Sequence, residues 1–115
     1  SKIAGSEGWM APEMHHKETE RFSYLVDIFP LGLIFGYTLS GGLHPYGSST
    51  IDRIKRIANN LPMTLTELDL GEYATDQIFD LINSMLNPQP KERPSAASIL
   101  QHPFLKRVKQ CDVLV

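Results

Sequence analysis

Apolar residues fall along this chain in three patterns, and each predicts an element. From Tyr24 to Leu39, YLVDIFPLGLIFGYTL, every face is apolar apart from Asp27 and Thr38. As a helix this run spans about 24 Å, and a helix with no polar side belongs in a membrane or at the centre of a protein large enough to surround it. The run is shorter than the roughly 20 residues that cross a bilayer, and Asp27 and Pro30 interrupt it, so a buried core helix is expected. A carboxylate buried there needs hydrogen bonds or a counter-charge, because an unpartnered charge costs more than a marginally stable domain can absorb. Asp27 is therefore expected to draw donors from elsewhere. Ser23 is the candidate cap, Gly41-Gly42 after Ser40 make a left-handed stop, and Pro30 fits only in the first turn or at a kink.

In the second pattern Ile51, Ile54, Ile57 and Ala58 recur at helical spacing with Arg53, Lys55 and Arg56 between them. This predicts a short amphipathic helix whose basic residues form a solvated face. In the third, Ile78, Leu81, Ile82 and Met85 make one stripe, with Thr75 as cap and Asp76 well placed near the N-terminus. Asn87-Pro88-Gln89-Pro90 stops that helix, and Ser95 caps a last short one, Ala96 to His102, which Pro103 ends. Between these elements, Ser1 to Met10 reads as an extended loop, Ala11-Pro12-Glu13 as a helical turn and His15 to Arg21 as a solvated connection. His44-Pro45-Tyr46-Gly47 is a turn, and Leu61 to Gly71 is irregular. No alternating run supports a strand, so the chain is expected to be mainly α. His15 and His16 are adjacent, do not share a helix face, and give no metal site.

Length changes the picture of the central helix. A chain of 115 residues makes one domain at most and keeps much of its surface wet, which suits a helix buried on all sides poorly. The expectation is a piece of a larger domain, whose remainder covers the helix and partners Asp27. The hydrophobic fraction of 42% and charged fraction of 21% are those of a globular protein. A net charge of -2 argues against nucleic acid or an anionic membrane as the main partner of this segment. The single cysteine, Cys111, cannot form an internal disulfide and fits a reducing compartment such as the cytosol, and it is read as inert. No signal peptide or membrane-spanning pattern is seen.

Three segments, in order, resemble the C-terminal lobe of a eukaryotic protein kinase. Gly5-Ser6-Glu7-Gly8-Trp9-Met10-Ala11-Pro12-Glu13 is similar to the end of an activation segment with its Ala-Pro-Glu signature. Val26-Asp27-Ile28-Phe29-Pro30-Leu31-Gly32 resembles the start of the family's long buried helix. Pro88-Gln89-Pro90-Lys91-Glu92-Arg93-Pro94-Ser95-Ala96, followed by His102-Pro103-Phe104, resembles the last turn and final helix of the lobe. Gly8-Trp9, His44-Pro45-Tyr46-Gly47 and Arg93-Pro94-Ser95-Ala96 bring the finer resemblance to the inositol-requiring kinase and endoribonuclease of the unfolded-protein response. Trp9 replaces the Tyr common in other kinases, and Pro30 stands where the family usually has Ser.

The resemblance implies a C-lobe portion of a protein-kinase-like fold, with residues 1–104 a partial kinase domain and 105–115 a tail. It implies a parent that transfers the ATP γ-phosphate to protein hydroxyls with ATP and Mg as cofactors. Ser6 would place a hydroxyl near the catalytic Asp, Gly5 would belong to the activation segment beside it, and Gly8, Trp9, Met10 and Ala11 would line the pocket for the residue after the phosphoacceptor. Pro12, Glu13, Asp27, Gly32 and Arg93 would be structural, Glu13 pairing with Arg93 and Asp27 holding the backbone of the catalytic loop. Expected partners are the remainder of the kinase domain, a protein substrate and a second copy of the parent, with no nucleic acid or membrane bound by this segment. The parent would sit in the cytoplasm or on the cytosolic face of the endoplasmic reticulum membrane. The sequence holds no GxGxxG loop, strand lysine, His-Arg-Asp loop or Asp-Phe-Gly site, so no catalytic residue is assigned and this stretch alone is expected to be inactive. The alternatives are a pseudokinase or interaction scaffold docking partners through Ile51 to Ala58, and a truncated remnant.

Overall fold

The computed structural model describes residues 7–15, 24–61, 71 and 76–106. Gly5, Ser6, His16, Ser23, Thr75, Cys111 and the irregular stretch 62–70 lie outside the described residues. All regular structure within them is helical: α1 (Ile28–Leu39), α2 (Thr50–Ala58), α3 (Asp76–Met85) and α4 (Ala96–Leu100), with 3-10 turns at Pro12–His15, Tyr24–Asp27 and Pro90–Glu92.

The central apolar run splits in two, and Pro30 explains where. In an α-helix begun at Tyr24, its ring would meet the carbonyl four residues back and leave that carbonyl without a donor. The chain instead takes a 3-10 turn to Asp27, which becomes the N-cap of α1 without a side-chain cap hydrogen bond. Pro30 is then the third helical residue, where an N–H has no intrahelical partner to lose. At the other end Gly41 (φ +77°) and Gly42 close α1, with Gly42 N donating to Tyr37 O at 2.8 Å and Gly41 N to Thr38 O at 3.3 Å. This is the paired closure of a Schellman stop, and the left-handed residue it requires is the glycine.

α1 is not buried on every face. Ile28, Phe29, Gly32, Leu33 and Gly36 form one buried stripe, whereas Ile34 is 49% and Tyr37 41% exposed. Asp27 also faces solvent. The buried stripe packs on α3, whose Ile78, Leu81, Ile82 and Met85 are all buried, as their spacing predicts. Close approach depends on Gly32, where a Cβ would stand 2.9 Å from Met85 Cβ. Ile57, Ile99 and Phe104 complete the core, and Phe29 stacks on Tyr46 with centroids 5.8 Å apart.

The remaining elements follow local chemistry. Ser49 Oγ accepts from Asp52 N at 3.1 Å and starts α2. Of the predicted apolar face of α2 only Ile57 is buried; Ile51 and Ala58 are exposed and Ile54 is half-buried, because α2 meets the core through a single turn. Asn87 Oδ1 accepts from Gln89 N at 2.9 Å, and Ser95 Oγ caps α4 by accepting from Ser98 N at 3.1 Å. α4 ends at Leu100, two residues short of the predicted His102. Pro103 then opens a further helical turn, residues 103–106, closed by Lys106 N donating to His102 O at 3.1 Å. A proline that stops one helix is equally suited to the first turn of the next.

Candidate functional site

The short segment Gly8 to Glu13 is anchored at both ends. At its far end Glu13 meets Arg93 in a two-pronged ion pair, Nη1 to Oε2 at 2.6 Å and Nη2 to Oε1 at 2.7 Å. The Arg93 side chain is fully buried, and a buried guanidinium is tolerable only when its donors are matched. Here all five are. Nε donates to Asn87 O at 2.7 Å, Nη1 also to Leu25 O at 3.0 Å, and Nη2 also to Pro88 O at 3.4 Å. The guanidinium lies 5.1 Å from the centre of the Phe29 ring. One side chain thus fastens the Pro12–His15 turn, the Tyr24–Asp27 turn and the loop after α3 to each other. Between the anchors Met10 and Ala11 are buried, and Met14 N closes the turn on Ala11 O at 3.0 Å.

At the near end, Trp9 sits among three side chains. Its ring lies edge-on to His44 at 4.4 Å and to Tyr37 at 5.5 Å, and the Arg53 guanidinium stands 5.5 Å from its centre. Gly8 has φ +84°, and a Cβ there would come within 3.2 Å of Arg53 Cδ. Conformation and space both call for glycine. Arg53 is not the solvated residue expected from its charge, since its Nε donates to Gly47 O at 2.8 Å.

His44 is buried, with Nε2 2.6 Å from Gly8 O and Nδ1 accepting from Tyr46 N at 2.9 Å. Because Nδ1 is occupied as an acceptor, the ring proton sits on Nε2 and donates to Gly8 O. Burial lowers the His44 pKa to about 4; the Gly8 hydrogen bond opposes the shift and the Arg53 charge adds to it. The imidazole is therefore a neutral strut rather than an acid or base at pH 7. Tyr46 is likewise held neutral, its pKa pushed up to about 12 by burial against the opposing Arg93 charge.

The structure gathers Gly8, Trp9, Met10, Ala11, Pro12, Glu13 and Arg93 around one segment. Gly32 lies behind them in the α1–α3 contact, and Asp27 stands apart on the surface. His44, Tyr37 and Arg53 are contributors that helical periodicity does not mark. His44 has a signal in the His-Pro-Tyr-Gly turn, whereas nothing local distinguishes Arg53 from Lys55 or Arg56. Among the described residues no group of three His, Cys, Asp or Glu side chains could hold a metal ion. Among the described residues no helix is long and apolar enough to cross a membrane.

Residues 1–105 match the family model described as protein kinase domain. The chain is 43% identical over 114 residues to the serine/threonine-protein kinase/endoribonuclease IRE2 of Homo sapiens, covering 96% of this chain and 12% of that protein. It is 45% identical over 105 residues to the serine/threonine-protein kinase/endoribonuclease ire-1 of Caenorhabditis elegans, covering 90% and 10%. With the sensor for unfolded proteins in the ER ire1 of Schizosaccharomyces pombe it shares 34% over 131 residues, covering 99% and 12%. The chain thus spans about a tenth of the length of these relatives. A helical fold with a doubly hydrogen-bonded Glu13–Arg93 anchor, and a family match across nearly all its residues, place the chain in the protein kinase domain family.

Proposed function

We propose that this chain is the substrate-side part of the C-lobe of a serine/threonine kinase, one that transfers the ATP γ-phosphate to a protein hydroxyl. The observation that carries the reading is the Glu13–Arg93 anchor, which holds the Gly8 to Ala11 segment against the lobe. Phosphoryl transfer works chiefly by positioning, and a segment fixed at both ends suits the placing of an acceptor. Gly8, Trp9, Met10 and Ala11 line the pocket for the residue after the acceptor, and Gly5 and Ser6 precede it. ATP and magnesium belong to other parts of the parent domain. The parent works as an unfolded-protein-response kinase and endoribonuclease on the cytosolic face of the endoplasmic reticulum membrane, as a homodimer. The names of the similar proteins support the kinase, endoribonuclease and unfolded-protein parts of this reading.

The test is phosphate transfer from γ-labelled ATP, measured for the full-length product of the gene and for the purified 115-residue chain. Transfer by the full-length protein and none by the chain is the expected result. Transfer by a clean preparation of the chain overturns the assignment of inactivity. A full-length protein that transfers nothing favours the scaffold reading, which draws on the exposure of Ile51 on α2.

A further inference from the structure

A cavity of about 420 Å³ opens between the His44–Gly47 turn and α2, and its walls include Tyr37, His44, Ser48, Asp52, Arg53 and Arg56. It begins where the Trp9 cage ends, since Tyr37, His44 and Arg53 line both. Arg53 is held by the Gly47 carbonyl and the Trp9 ring, so its charge is fixed in place. Among the described residues no carboxylate pairs with Arg53 or Arg56. Asp52 contributes one negative charge to the same walls and His44 is neutral at pH 7. Two guanidiniums against one carboxylate leave an excess of one positive charge, with the Ser48 hydroxyl available beside it.

We propose that this cavity binds an anionic side chain of the protein substrate, Asp, Glu or a phosphorylated Ser, a few residues after the acceptor. The proposal rests on the reading of Gly8 to Ala11 as the pocket for the residue following the acceptor. A guanidinium suits that ligand because its planar fork matches a carboxylate or phosphate with two hydrogen bonds. Arg53, already committed through Nε, offers its Nη groups; Arg56, an exposed residue whose Nη1 makes only a 3.4 Å contact with Leu61 O, completes the pair.

The experiment compares serine peptides carrying Glu, Gln or phosphoserine at each of the first three positions after the acceptor. Both kcat/KM for the full-length protein and calorimetric binding without ATP are measured. An acidic peptide is expected to be favoured by about three- to tenfold in both readouts, the scale of a half-sheltered ion pair. Arg56→Gln and Arg56→Glu should abolish the preference, and added salt should shrink it. Arg53→Gln serves as a further variant, with Trp9 fluorescence reporting whether the cage survives. Equal kcat/KM and equal binding for Glu and Gln peptides at all three positions overturns the proposal, as does a preference undiminished in both Arg56 variants. Arg56-dependent binding of the acidic peptide without transfer to any peptide would support the cavity and count against the kinase reading. Transfer with no acidic preference would do the reverse.

Discussion

Replacing Glu13 by glutamine tests whether the far anchor carries the stability that its geometry implies. The amide keeps the shape of the carboxylate but removes the charge facing Arg93, whose side chain is fully buried, while Glu13 is 14% exposed. Breaking a buried pair by removing one partner costs about 3 to 5 kcal/mol. Because water reaches Glu13 and Arg93 keeps its bonds to Asn87, Leu25 and Pro88, the lower end, about 3 kcal/mol, applies. Arg93→Met should cost more, about 4 to 5 kcal/mol, since it leaves three backbone carbonyls without their donor as well as Glu13 without its cation. Against a total stability of about 5 to 15 kcal/mol either loss is large. Urea unfolding of wild type, both single variants and the double variant in the full-length protein measures the coupling. A double variant less destabilised than the sum of the singles by about 2 kcal/mol is expected. Losses that add to within about 0.5 kcal/mol would show that the two residues act independently, and the anchor argument would fail.

Three further outcomes follow from the same packing. His44 is neutral when folded, with a pKa lowered from 6.5 to about 4, so between these values the unfolded chain binds a proton that the folded chain does not. Stability contributed by His44 is complete above about pH 6.5 and falls by up to about 3 kcal/mol as pH drops to 4; unfolding titrations should show this slope in wild type and a flatter one in His44→Gln. Tyr46, raised from 10.0 to about 12, acts in the opposite direction: its contribution is present below pH 10 and is lost as pH rises toward 12, which the same titration at alkaline pH reads against Tyr46→Phe. Gly36→Ala should destabilise although alanine is the better helix former by about 1 kcal/mol, because its Cβ would fall 2.7 Å from the Pro45 ring; a raised thermal midpoint would contradict the close approach.

Local sequence chemistry accounts for most of the fold. The α3 stripe, the Ser95 cap and the glycine stop after α1 each depend on residues within one or two turns, and such signals are visible in a single chain. Burial is harder to read. The apolar run of α1 predicts a helix covered all round, yet Ile34 and Tyr37 are open, because hydropathy states what a face prefers and not whether this stretch contains anything to cover it. The reverse error occurs in α2. Ile51 has the right spacing and stays exposed, while Arg53, which periodicity assigns to solvent, packs its stem on Gly8 and its charge on Trp9. The Trp9 cage joins residues from four separate parts of the sequence, Trp9 before the first turn, Tyr37 on α1, His44 in the following turn and Arg53 on α2, so no short window of the chain contains it.

The two anchors on the Gly8 to Glu13 segment differ in kind, and that difference bears on how the segment behaves. Arg93 uses charge and a complete set of donors, so the Glu13 end resists any displacement that would strand a buried cation. The Trp9 end relies on ring contacts and one short bond from a neutral imidazole to the Gly8 carbonyl. Losing that bond costs a buried carbonyl about 1 to 3 kcal/mol and strands no charge. The Glu13 end is therefore the stiffer of the two, and local opening of the segment should begin at Gly8 and stop before Glu13. Amide hydrogen exchange measures this directly. The Met14 amide, bonded to Ala11 O beside the ion pair, is expected to exchange more slowly than the Tyr46 amide, whose partner is the His44 ring. In His44→Gln the Tyr46 amide should lose protection while Met14 keeps its own; simultaneous loss at both would mean that the segment opens as one piece.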